Sequence, residues 1–461
     1  MGLQSNPVLQ RIYASSPVFL QSSAVTALGA RTRFRRYGST FRKHDEEYNR
    51  RQWKDEEFWR DYQSTALARI VDHARRTTEH YSDLPELDRQ KPLREQLKSL
   101  PRLSEETLKD EPKTLVSSEH QISNCVSLST SGTTGTPKTT HHTVESQCEL
   151  SAAMNRFWRR GGCRYGDRRL SFTGNKIVPT SQDGGPYGRY DRANNRYLMS
   201  SYHLGEETVD DYLEEIDAFS PSFIDGYPSS IAFCAQHAVE TNRDIRIPAC
   251  FPTAETLRKE DRELIEEGFS TSVYNQYGST ESAALVTECP CGRWHVNPDI
   301  GIVEVVDEDG QQVSDGEIGE LVLTGLNNPA MPLIRYRIGD MARGAPKYIE
   351  CECGWNTPII EEIIGRQDEV VVTADGRRIP MLSYNVFKYT DGIEESQIVQ
   401  ESVDEFTLRI VPGEEYADEQ ADVAILKLKD RVGSDVSVTI QILDEIPKTS
   451  SGKFRAVISK V

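Results

Sequence analysis

The segment LSTSGTTGTPKTT, from Leu128 to Thr140, carries residue types that could bind phosphate. Its hydroxyl and backbone N–H groups can donate to phosphate oxygens, and Gly132 and Gly135 let the backbone approach a ligand closely. Lys138 adds a positive charge suited to pyrophosphate. The Walker A pattern does not fit, because two residues separate Gly135 from Lys138. We therefore expect a phosphate-binding loop of another kind, and the alternative is a flexible linker.

Four cysteines form two short pairs that could bind a metal ion. They are Cys289, Cys291, Cys351 and Cys353. Each pair is followed directly by a glycine, and two such turns presenting soft thiolates suit a closed tetrahedral Zn²⁺ site. His295 is a fifth candidate, and the sequence does not decide which four of the five bind. No general base lies beside them, so we interpret the metal as structural; the alternative is four free cysteines in loops.

Four further segments follow the Thr-rich loop in a fixed order. They are YNQYGSTE (Tyr274–Glu281), PLIRYRIGD (Pro332–Asp340), IIGRQDE (Ile363–Glu369) and IPKTSSGKFR (Ile446–Arg455). Together with STSGTTGTPK they resemble the core motifs of the adenylate-forming superfamily, which includes acyl-CoA synthetases, peptide-synthetase adenylation domains and luciferases. One such motif alone is weak evidence, whereas five in the same order are strong evidence.

Within that superfamily the chain most resembles the phenylacetate–CoA ligase branch, because ECPCGRWHV is followed later by CECG. The segments SPVFLQ…RRYGSTF, SSYHL and FIDGYPSS look like those of branch members encoded in capsular-polysaccharide clusters. One segment departs from the family pattern: the residues that follow GRQDEVVV are TADGRRIPMLS. The departure leaves the contacts of the C-terminal domain with an acceptor undecided, and the closer match says little about the substrate.

The resemblance implies activation of a carboxylic acid by ATP and Mg²⁺, which forms an acyl-adenylate and pyrophosphate. The loop residues assigned to the β- and γ-phosphates are Ser129, Thr130, Ser131, Gly132, Thr133, Thr134, Gly135 and Lys138. The residues assigned to adenine, the ribose and the phosphate are Ala254, Glu255, Tyr277, Gly278, Thr280, Asp340 and Arg366. Glu281 is assigned to Mg²⁺, because hard cations prefer carboxylate oxygens. Asp340 can accept from both ribose hydroxyls, and Arg366 can donate to the same ribose.

The resemblance also assigns catalytic roles, to Lys453 together with Glu281 and Thr280. Lys453 would neutralise the carboxylate and α-phosphate oxygens as they approach each other. The small domain that carries Lys453 would turn about the hinge residue Asp368 between one pose for each half-reaction. The alternative is that Lys453 is a solvated residue near the C-terminus.

Two residues are candidates for the wall of the acid-binding pocket. His203 lies in SSYHL and Tyr227 in DGYPSS. Packing in the core is an equally good interpretation of both.

The composition limits the function classes. The formal net charge of −18 argues against a nucleic-acid-binding surface, and no apolar run is long enough to predict a transmembrane helix. The nine cysteines, an odd number spread along the chain, argue against a secreted disulfide framework. Near the N-terminus the apolar segment precedes the basic cluster, which is the reverse of a signal peptide. We expect residues 1–40 to form an amphipathic arm packed on a cytoplasmic protein.

Hydrophobic periodicity predicts the elements that position these residues. A long helical pattern covers residues 46–84, a second covers Glu145–Arg160, and short apolar runs alternate with helical patterns from 165 to 300. We predict an α/β fold with an N-terminal ATP- and acid-binding domain, residues 1–366, built of layered sheets and helices. Residues 285–360 of that domain include a β-subdomain and the cysteine pairs. A small mobile α+β lid domain would follow over residues 367–461.

Three functions remain open at this point. The first is a ligase that transfers the acyl group from the adenylate to CoA. The second is an adenylating enzyme whose acceptor is an amine, a hydroxyl or a carrier-protein thiol in surface-polysaccharide biosynthesis. The third is a non-catalytic nucleotide-binding protein, which the intact Glu281, Asp340, Arg366 and Lys453 disfavour. The sequence leaves the identity of the small carboxylic acid and the existence of a homodimer undecided.

Overall fold

The protein is described here from a computed structural model. The structure describes residues 7–129, 138–173, 177–179, 182, 184–201, 203–255, 257, 259–365, 370–374, 378–380, 382–387, 390, 392–413, 416–446 and 457–461.

Helices are concentrated in the first two thirds of the chain. The described α-helices are α1 (Pro7–Ala14), α2 (Val18–Arg36), α3 (Ser39–Arg51), α4 (Glu56–Thr77), α5 (Leu93–Lys98), α6 (Glu105–Asp110), α7 (Val144–Trp158), α8 (Val209–Phe219), α9 (Pro228–Glu240), α10 (Lys259–Gly268), α11 (Leu382–Phe387) and α12 (Asp418–Val432). Short 3-10 turns lie at Pro112–Leu115, Ile122–Asn124 and Arg159–Gly161. Within the ranges given above, no helix has both the length and the apolar character needed to cross a membrane.

The strands are numbered in the order in which they occur along the chain. The described strands are β1 (Val126–Ser129), β2 (Thr139–His142), β3 (Arg169–Thr173), β4 (Gly188–Asp191), β5 (Arg196–Ser200), β6 (Phe223–Gly226), β7 (Ala249–Pro252), β8 (Ser272–Val273), β9 (Gln276–Gly278), β10 (Leu285–Glu288), β11 (Trp294–Val296), β12 (Gly301–Val306), β13 (Ile318–Gly325), β14 (Tyr336–Arg343), β15 (Ile359–Ile360), β16 (Glu362–Gly365), β17 (Val370–Val372), β18 (Arg378–Pro380), β19 (Ile393–Ser402), β20 (Glu405–Pro412), β21 (Ser437–Ile442) and β22 (Val457–Ser459).

A six-stranded sheet forms the centre of the N-terminal domain. Its order is β4-β5-β3-β6-β7-β8, and all neighbours are parallel except β4, which runs antiparallel to β5. Helices α8, α9 and α10 cover one face and share an apolar core with it. Strand order reverses at β3, since the chain passes to β5 on one side of it and later to β6 on the other. Ligands of open α/β sheets bind at such reversal points.

Two antiparallel sheets build the β-subdomain. One has the order β15-β11-β10-β9 and the other β12-β13-β14-β16. Their apolar side chains share the largest described core with the inner face of α4. The motif residues Tyr277 and Asp340 therefore lie on strands of two sheets that share a core.

The C-terminal unit is a separate sheet with its own core. Strands in the order β21-β20-β19-β22 pack with α11 and α12 around an apolar cluster. The α/β class predicted from the sequence, with a large N-terminal domain and a small α+β C-terminal domain, is confirmed. The boundary predicted between residues 366 and 367 lies outside the described residues and stays a prediction.

The long helical pattern over residues 46–84 is two helices in the structure, so the prediction of one helix is wrong. Helix α3 ends at Arg51, and α4 begins after Asp55, whose carboxylate accepts a hydrogen bond from the Phe58 N–H at 2.9 Å. An Asp at this position satisfies a donor that the first turn leaves free, and so favours a new helix start. The predicted helix over Glu145–Arg160 is confirmed as α7 with the 3-10 turn that follows it.

Helix α2, which belongs to the predicted arm, packs on the edge of the six-stranded sheet. The Thr26 hydroxyl donates to the Tyr190 carbonyl at 3.2 Å, and the Asn194 amide donates to the Gly29 carbonyl at 3.0 Å. A Cβ added at Gly29 would lie 2.1 Å from a carboxylate oxygen of Asp191. Glycine therefore permits the close approach of α2 to the turn between β4 and β5.

Candidate active site

The two ends of the Thr-rich loop are held by a hairpin. Strands β1 and β2 pair with Ser129 opposite Thr139, and the two side-chain hydroxyls lie 2.9 Å apart. The predicted phosphate ligands Thr130, Ser131, Gly132, Thr133, Thr134 and Gly135 lie outside the described residues. Their assignment stays a prediction, while the hairpin fixes where the loop begins and ends.

Lys138, which directly follows the undescribed loop, lies among acidic and phenolic oxygens. Its Nζ is 3.0 Å from Glu281 Oε1 and 2.9 Å from Glu105 Oε1, and it donates to the Tyr336 hydroxyl at 3.2 Å. The Tyr336 hydroxyl in turn donates to Glu281 Oε1 at 3.1 Å. The structure thus brings together the lysine of the first motif and the carboxylate of the second.

Sequence reasoning missed Glu105 and Tyr336. Tyr336 stands inside PLIRYRIGD, so the motif itself carried a signal, whereas Glu105 is an ordinary residue of the first turn of α6.

The carboxyl of Glu281 is ionised in this setting. Burial by itself raises the pKa of Glu281, but the Lys138 ammonium and its hydrogen bond outweigh burial, so the pKa lies below its usual value. A buried ionised carboxylate has the hard oxygen donors that Mg²⁺ prefers. The residues present therefore fit a magnesium ion at Glu281.

Tyr277 and Asp340 are also brought together. The Tyr277 hydroxyl donates to Asp340 Oδ2 at 2.7 Å, joining the middle of β9 to the middle of β14. Gly278 and Thr280, which follow Tyr277 closely, line the same cavity as Ala254. Of the residues assigned to adenine, ribose and phosphate, Tyr277 and Asp340 are thus in contact, and Ala254, Gly278 and Thr280 share one cavity.

The segment after β7 has an unusual backbone. Ala254 has a φ of +70°, a conformation that residues with a Cβ rarely adopt and that is often found at ligand sites. Glu255 accepts hydrogen bonds at the start of α9, from the Ser229 hydroxyl at 2.7 Å and the Ser229 N–H at 3.3 Å. Burial raises the pKa of Glu255 to about 7, against the opposing effect of these hydrogen bonds.

A cavity of about 800 Å³ lies between the segment of Ala254 and helix α2 of the predicted arm. It runs from Ala254, Gly278 and Thr280 to the inner side of α2 and to Arg196 at the start of β5.

Neither His203 nor Tyr227 is among the described residues that line this cavity. The His203 ring lies 2.8 Å from the Ser200 hydroxyl and 3.1 Å from the Pro179 carbonyl. Tyr227 immediately precedes α9. Their assignment to the acid pocket stays a prediction.

Four of the five candidate zinc ligands form a cluster. The ligand atoms of Cys289, His295, Cys351 and Cys353 all lie within 4.8 Å of one another. The turns after β10 and before β15 supply the cysteines, and each turn includes a glycine with positive φ. Cys291 is exposed and lies outside the cluster.

The distances within the cluster match a tetrahedral zinc site. With Zn–S of about 2.3 Å and Zn–N of about 2.0–2.1 Å, two sulfurs lie about 3.8 Å apart and a sulfur and a nitrogen about 3.6 Å apart. Cys289 Sγ and Cys351 Sγ are 3.8 Å apart, and Cys353 Sγ is 3.5 Å from His295 Nε2. His295 Nδ1 lies 3.0 Å from the Thr357 hydroxyl, which orients the ring. These two distances fit a tetrahedral zinc site, and all four donor atoms lie within 4.8 Å of one another.

Three predicted residues lie outside the described ranges. They are Arg366, the hinge residue Asp368 and the catalytic candidate Lys453. Their roles stay predictions that rest on the motifs.

The chain matches two family models. Residues 61–329 match the model described as AMP-binding enzyme, and residues 371–460 match the model described as CapK C-terminal domain.

Among curated relatives, the protein CapK of Staphylococcus aureus is 27% identical over 98% of this chain and 100% of its own length. A phenylacetate-coenzyme A ligase of Thermus thermophilus is 26% identical over 54% of this chain and 61% of its own length.

Among solved structures, a 2-hydroxyisobutyryl-CoA ligase in complex with 2-HIB-AMP and CoA has a TM-score of 0.60 at 20% identity. The match covers 89% of this chain and 91% of that one. Likeness at this level of identity shows a shared fold.

Proposed function

We propose, because this chain belongs to the AMP-binding enzyme family, that it is an AMP-forming ligase of a small carboxylic acid. In the first half-reaction the carboxylate attacks the α-phosphorus of ATP, the bond between the α- and β-phosphates breaks, and pyrophosphate leaves. In the second, the thiolate of CoA attacks the acyl carbon and AMP leaves. The observation that carries the proposal is that Lys138 and Glu281, from separate motifs, meet, and that the chain neighbours of Glu281, Thr280 and Ser282, line a cavity that also reaches Gly278 and Ala254.

The described residues have distinct tasks in this reaction. Lys138 places a positive charge where the departing pyrophosphate needs one, and Asp340 accepts hydrogen bonds from the ribose. Glu281 would hold Mg²⁺, which supplies positive charge to the phosphate oxygens when bound. The contacts of Lys138 with Glu281 and Glu105 hold its ammonium in place before ATP arrives.

We propose that the zinc ion has a structural role. Cys289, His295, Cys351 and Cys353 would hold a Zn²⁺ ion that links the β10–β11 hairpin to the segment before β15. All four donors are used within the cluster, which leaves no open position for a reacting water.

A pyrophosphate-exchange screen of the purified protein tests the main proposal. We expect incorporation of labelled pyrophosphate into ATP that depends on one class of carboxylic acid, and we expect Glu281→Gln to abolish it. Absence of exchange with aryl, fatty, hydroxy, amino and dicarboxylic acids would contradict the proposal.

A different acceptor is the second candidate function. It is favoured by the full-length similarity to CapK and by the match of residues 371–460 to the CapK C-terminal domain, not to a domain named for CoA transfer. The acceptor would then be an amine, a hydroxyl or a carrier-protein thiol in surface-polysaccharide biosynthesis. Release of AMP that CoA accelerates without any added protein would favour the first candidate. Adenylate that accumulates unchanged in the presence of CoA would favour the second.

A further inference from the structure

The two faces of the six-stranded sheet differ in chemistry. Alternate side chains of a strand point to opposite faces. Leu170, Phe172, Met199, Ile224 and Cys250 belong to the apolar core beneath α8, α9 and α10. The residues between them face the other way, toward α7 and α2. Some of them pack in an apolar cluster with α7, namely Phe223, Ala249 and Phe251. Beside this cluster the sheet centre carries the charged and hydroxyl side chains of Arg169, Ser171, Arg196 and Asp225. Parallel sheets are ordinarily apolar on both faces, so this exception calls for a ligand or a complete internal network.

The charged residues of this face are only partly neutralised by one another. The guanidinium of Arg169, on β3, forms an ion pair with the Asp225 carboxylate on β6, and its Nε donates to Asp225 Oδ1 at 2.8 Å. The Ser171 hydroxyl also donates to Asp225. These contacts pair the charge of Arg169 with that of Asp225.

Arg196, on β5, is the second arginine of this face. Its Nε donates to the Ser171 hydroxyl at 2.6 Å. Over the described part of the chain, its two terminal nitrogens make no hydrogen bond or ion pair. Burial, and next the neighbouring charge of Arg169, lower the pKa of Arg196 to about 10, while Asp225, Tyr37 and Asp191 act in the opposite direction. An added anion would stabilise the charged guanidinium of Arg196 in this setting.

Arg196 lines the 800 Å³ cavity, so its terminal nitrogens can reach a ligand there. Three carboxylates line the same cavity, and each is already hydrogen-bonded. Asp225 is paired with Arg169; Asp191 accepts from the Ala193 N–H at 3.0 Å and the Asn194 side-chain amide at 2.6 Å; Asp167 accepts from the Arg164 N–H at 2.8 Å.

A further arginine, Arg36, lines the cavity from the end of α2. Burial, and then the charges of His141 and Arg36, lower the pKa of His142 to about 4, while Glu281 acts on the same imidazole in the opposite direction. The cavity is thus lined by two arginines besides the paired Arg169, one at the end of α2 and one on the sheet face. Among the described residues neither forms an ion pair with a carboxylate.

We propose that the acid activated in this cavity carries a second anionic group, a carboxylate or a phosphate, and that Arg196 binds that group. This inference rests on the proposed function, because it names the class of acid that the adenylating site takes. Arg196 is half-buried, and an apolar monocarboxylic acid in the cavity would cover its guanidinium without offering a partner, which costs free energy. A dianionic acid supplies the missing acceptor, and the fork of the guanidinium can bind either anion in a bidentate manner.

Pyrophosphate exchange with matched acids tests this inference. The pairs are succinate with butyrate and adipate with hexanoate for a carboxylate, and 3-phosphoglycerate with glycerate for a phosphate. We expect at least one dianionic acid to exceed its monoanionic partner by about 10- to 100-fold in kcat/KM, the effect of a hydrogen bond to a charged group. We expect Arg196→Gln to reduce that ratio to near one, and Arg196→Lys to retain part of it. Equal rates within every pair, or a ratio that Arg196→Gln leaves unchanged, would overturn the inference.

Arg192→Gln is the matched control, because Arg192 is an exposed residue of the neighbouring turn. It should leave the ratio unchanged. A ratio of two acids does not depend on the folded fraction of a variant, and thermal melting checks the fold separately.

Calorimetric titration of the same acids into the protein without ATP separates the two proposals. Dianionic acids that bind in an Arg196-dependent way, without any exchange, would contradict the proposed function and support the acid site. Exchange with monocarboxylic acids alone would support the proposed function and overturn the acid site. Absence of both binding and exchange would contradict both.

Discussion

At the scale of single residues, the arrangement around Lys138 shows how two motifs act together. One ammonium is held by Glu281 and Glu105, and the hydroxyl of Tyr336 contacts both Lys138 and Glu281. The motifs assigned Lys138 to the phosphates and Glu281 to Mg²⁺, and they did not predict a direct contact between the two side chains. They did not predict Glu105 either, because its contact with Lys138 depends on how α6 packs beside β14.

The first prediction concerns Asp340. Replacing it with alanine removes acceptors from the ribose and from the Tyr277 hydroxyl, so we expect the KM for ATP to rise while the KM for the acid changes little. The loss should be about 1.5–3 kcal/mol, the range for hydrogen bonds to a charged group. Steady-state kinetics of Asp340→Ala measure it, with Asp309→Ala in a surface turn as control. An altered KM for the acid alone would contradict the ribose assignment.

The second prediction concerns the pH dependence of Glu255. Its pKa in the folded state is raised from 4.5 to about 7, mainly by burial, with Ser229 and Arg431 opposing the rise and Asp261 adding to it. The folded state therefore binds this proton more tightly than the unfolded chain. The stability it contributes is complete below the unfolded-state value and is lost as the pH rises through the folded-state value.

Glu255→Gln should accordingly gain stability relative to the natural protein as the pH rises from about 5 to about 8. Urea unfolding at several pH values measures the free energy of unfolding of both. The exposed neighbour Glu260 provides the control variant Glu260→Gln. Parallel pH curves for Glu255→Gln and the natural protein would argue against the raised pKa.

At the scale of elements, the pairing register of the strands determines which of the five candidate zinc ligands lie together. His295 lies on β11 opposite Thr287 on one side and Ile359 on the other, and this register brings its ring to Cys353. The sequence showed the five candidate ligands but not the register, so it could not separate Cys291 from the other four. Arg196 could not be identified as a site residue for a similar reason. The sequence shows a charged residue in the strand RYLMS, but it does not show the cavity beside that residue.

The third prediction tests the metal site with two serine variants. We expect one zinc ion per chain in protein purified without chelator, and we expect Cys351→Ser to lose it and melt at a lower temperature, because metal-binding energy is part of the folding energy. Cys291→Ser is the matched control, since Cys291 is exposed and outside the cluster. Elemental analysis and thermal melting report both effects. Equal zinc content and melting in the two variants would contradict the proposed ligand set.

At the scale of the whole molecule, the motif-based identification of the adenylate-forming superfamily is confirmed by the family match and the shared fold. The branch, close to phenylacetate-CoA ligases and CapK, is confirmed as well. The α/β class could be predicted because hydrophobic periodicity is local. The break between α3 and α4 was missed because the apolar spacing continues across it and a single capping residue, Asp55, sets the new start.

The fourth prediction concerns the two half-reactions and rests on the motif that contains Lys453. Lys453→Ala should lower kcat for adenylate formation strongly and leave transfer from a supplied acyl-adenylate largely intact, because we expect the lysine to act in only one of two poses of the C-terminal domain. Lys448→Ala, in the same segment, should behave as the natural protein does. Separate measurement of each half-reaction decides the matter. Equal loss in both would argue against alternation of the domain, and no loss in either would remove Lys453 from catalysis.

The position of helix α2 has a consequence for how this enzyme could diversify. The family match begins at residue 61, whereas one wall of the cavity comes from Val18–Arg36, upstream of it. Selectivity for the acid can therefore change by exchange of a short N-terminal segment while the nucleotide machinery stays as it is. We expect a chimaera in which only this segment is exchanged to take the acid preference of the relative that supplied the segment, and not that of the relative that supplied the matched region.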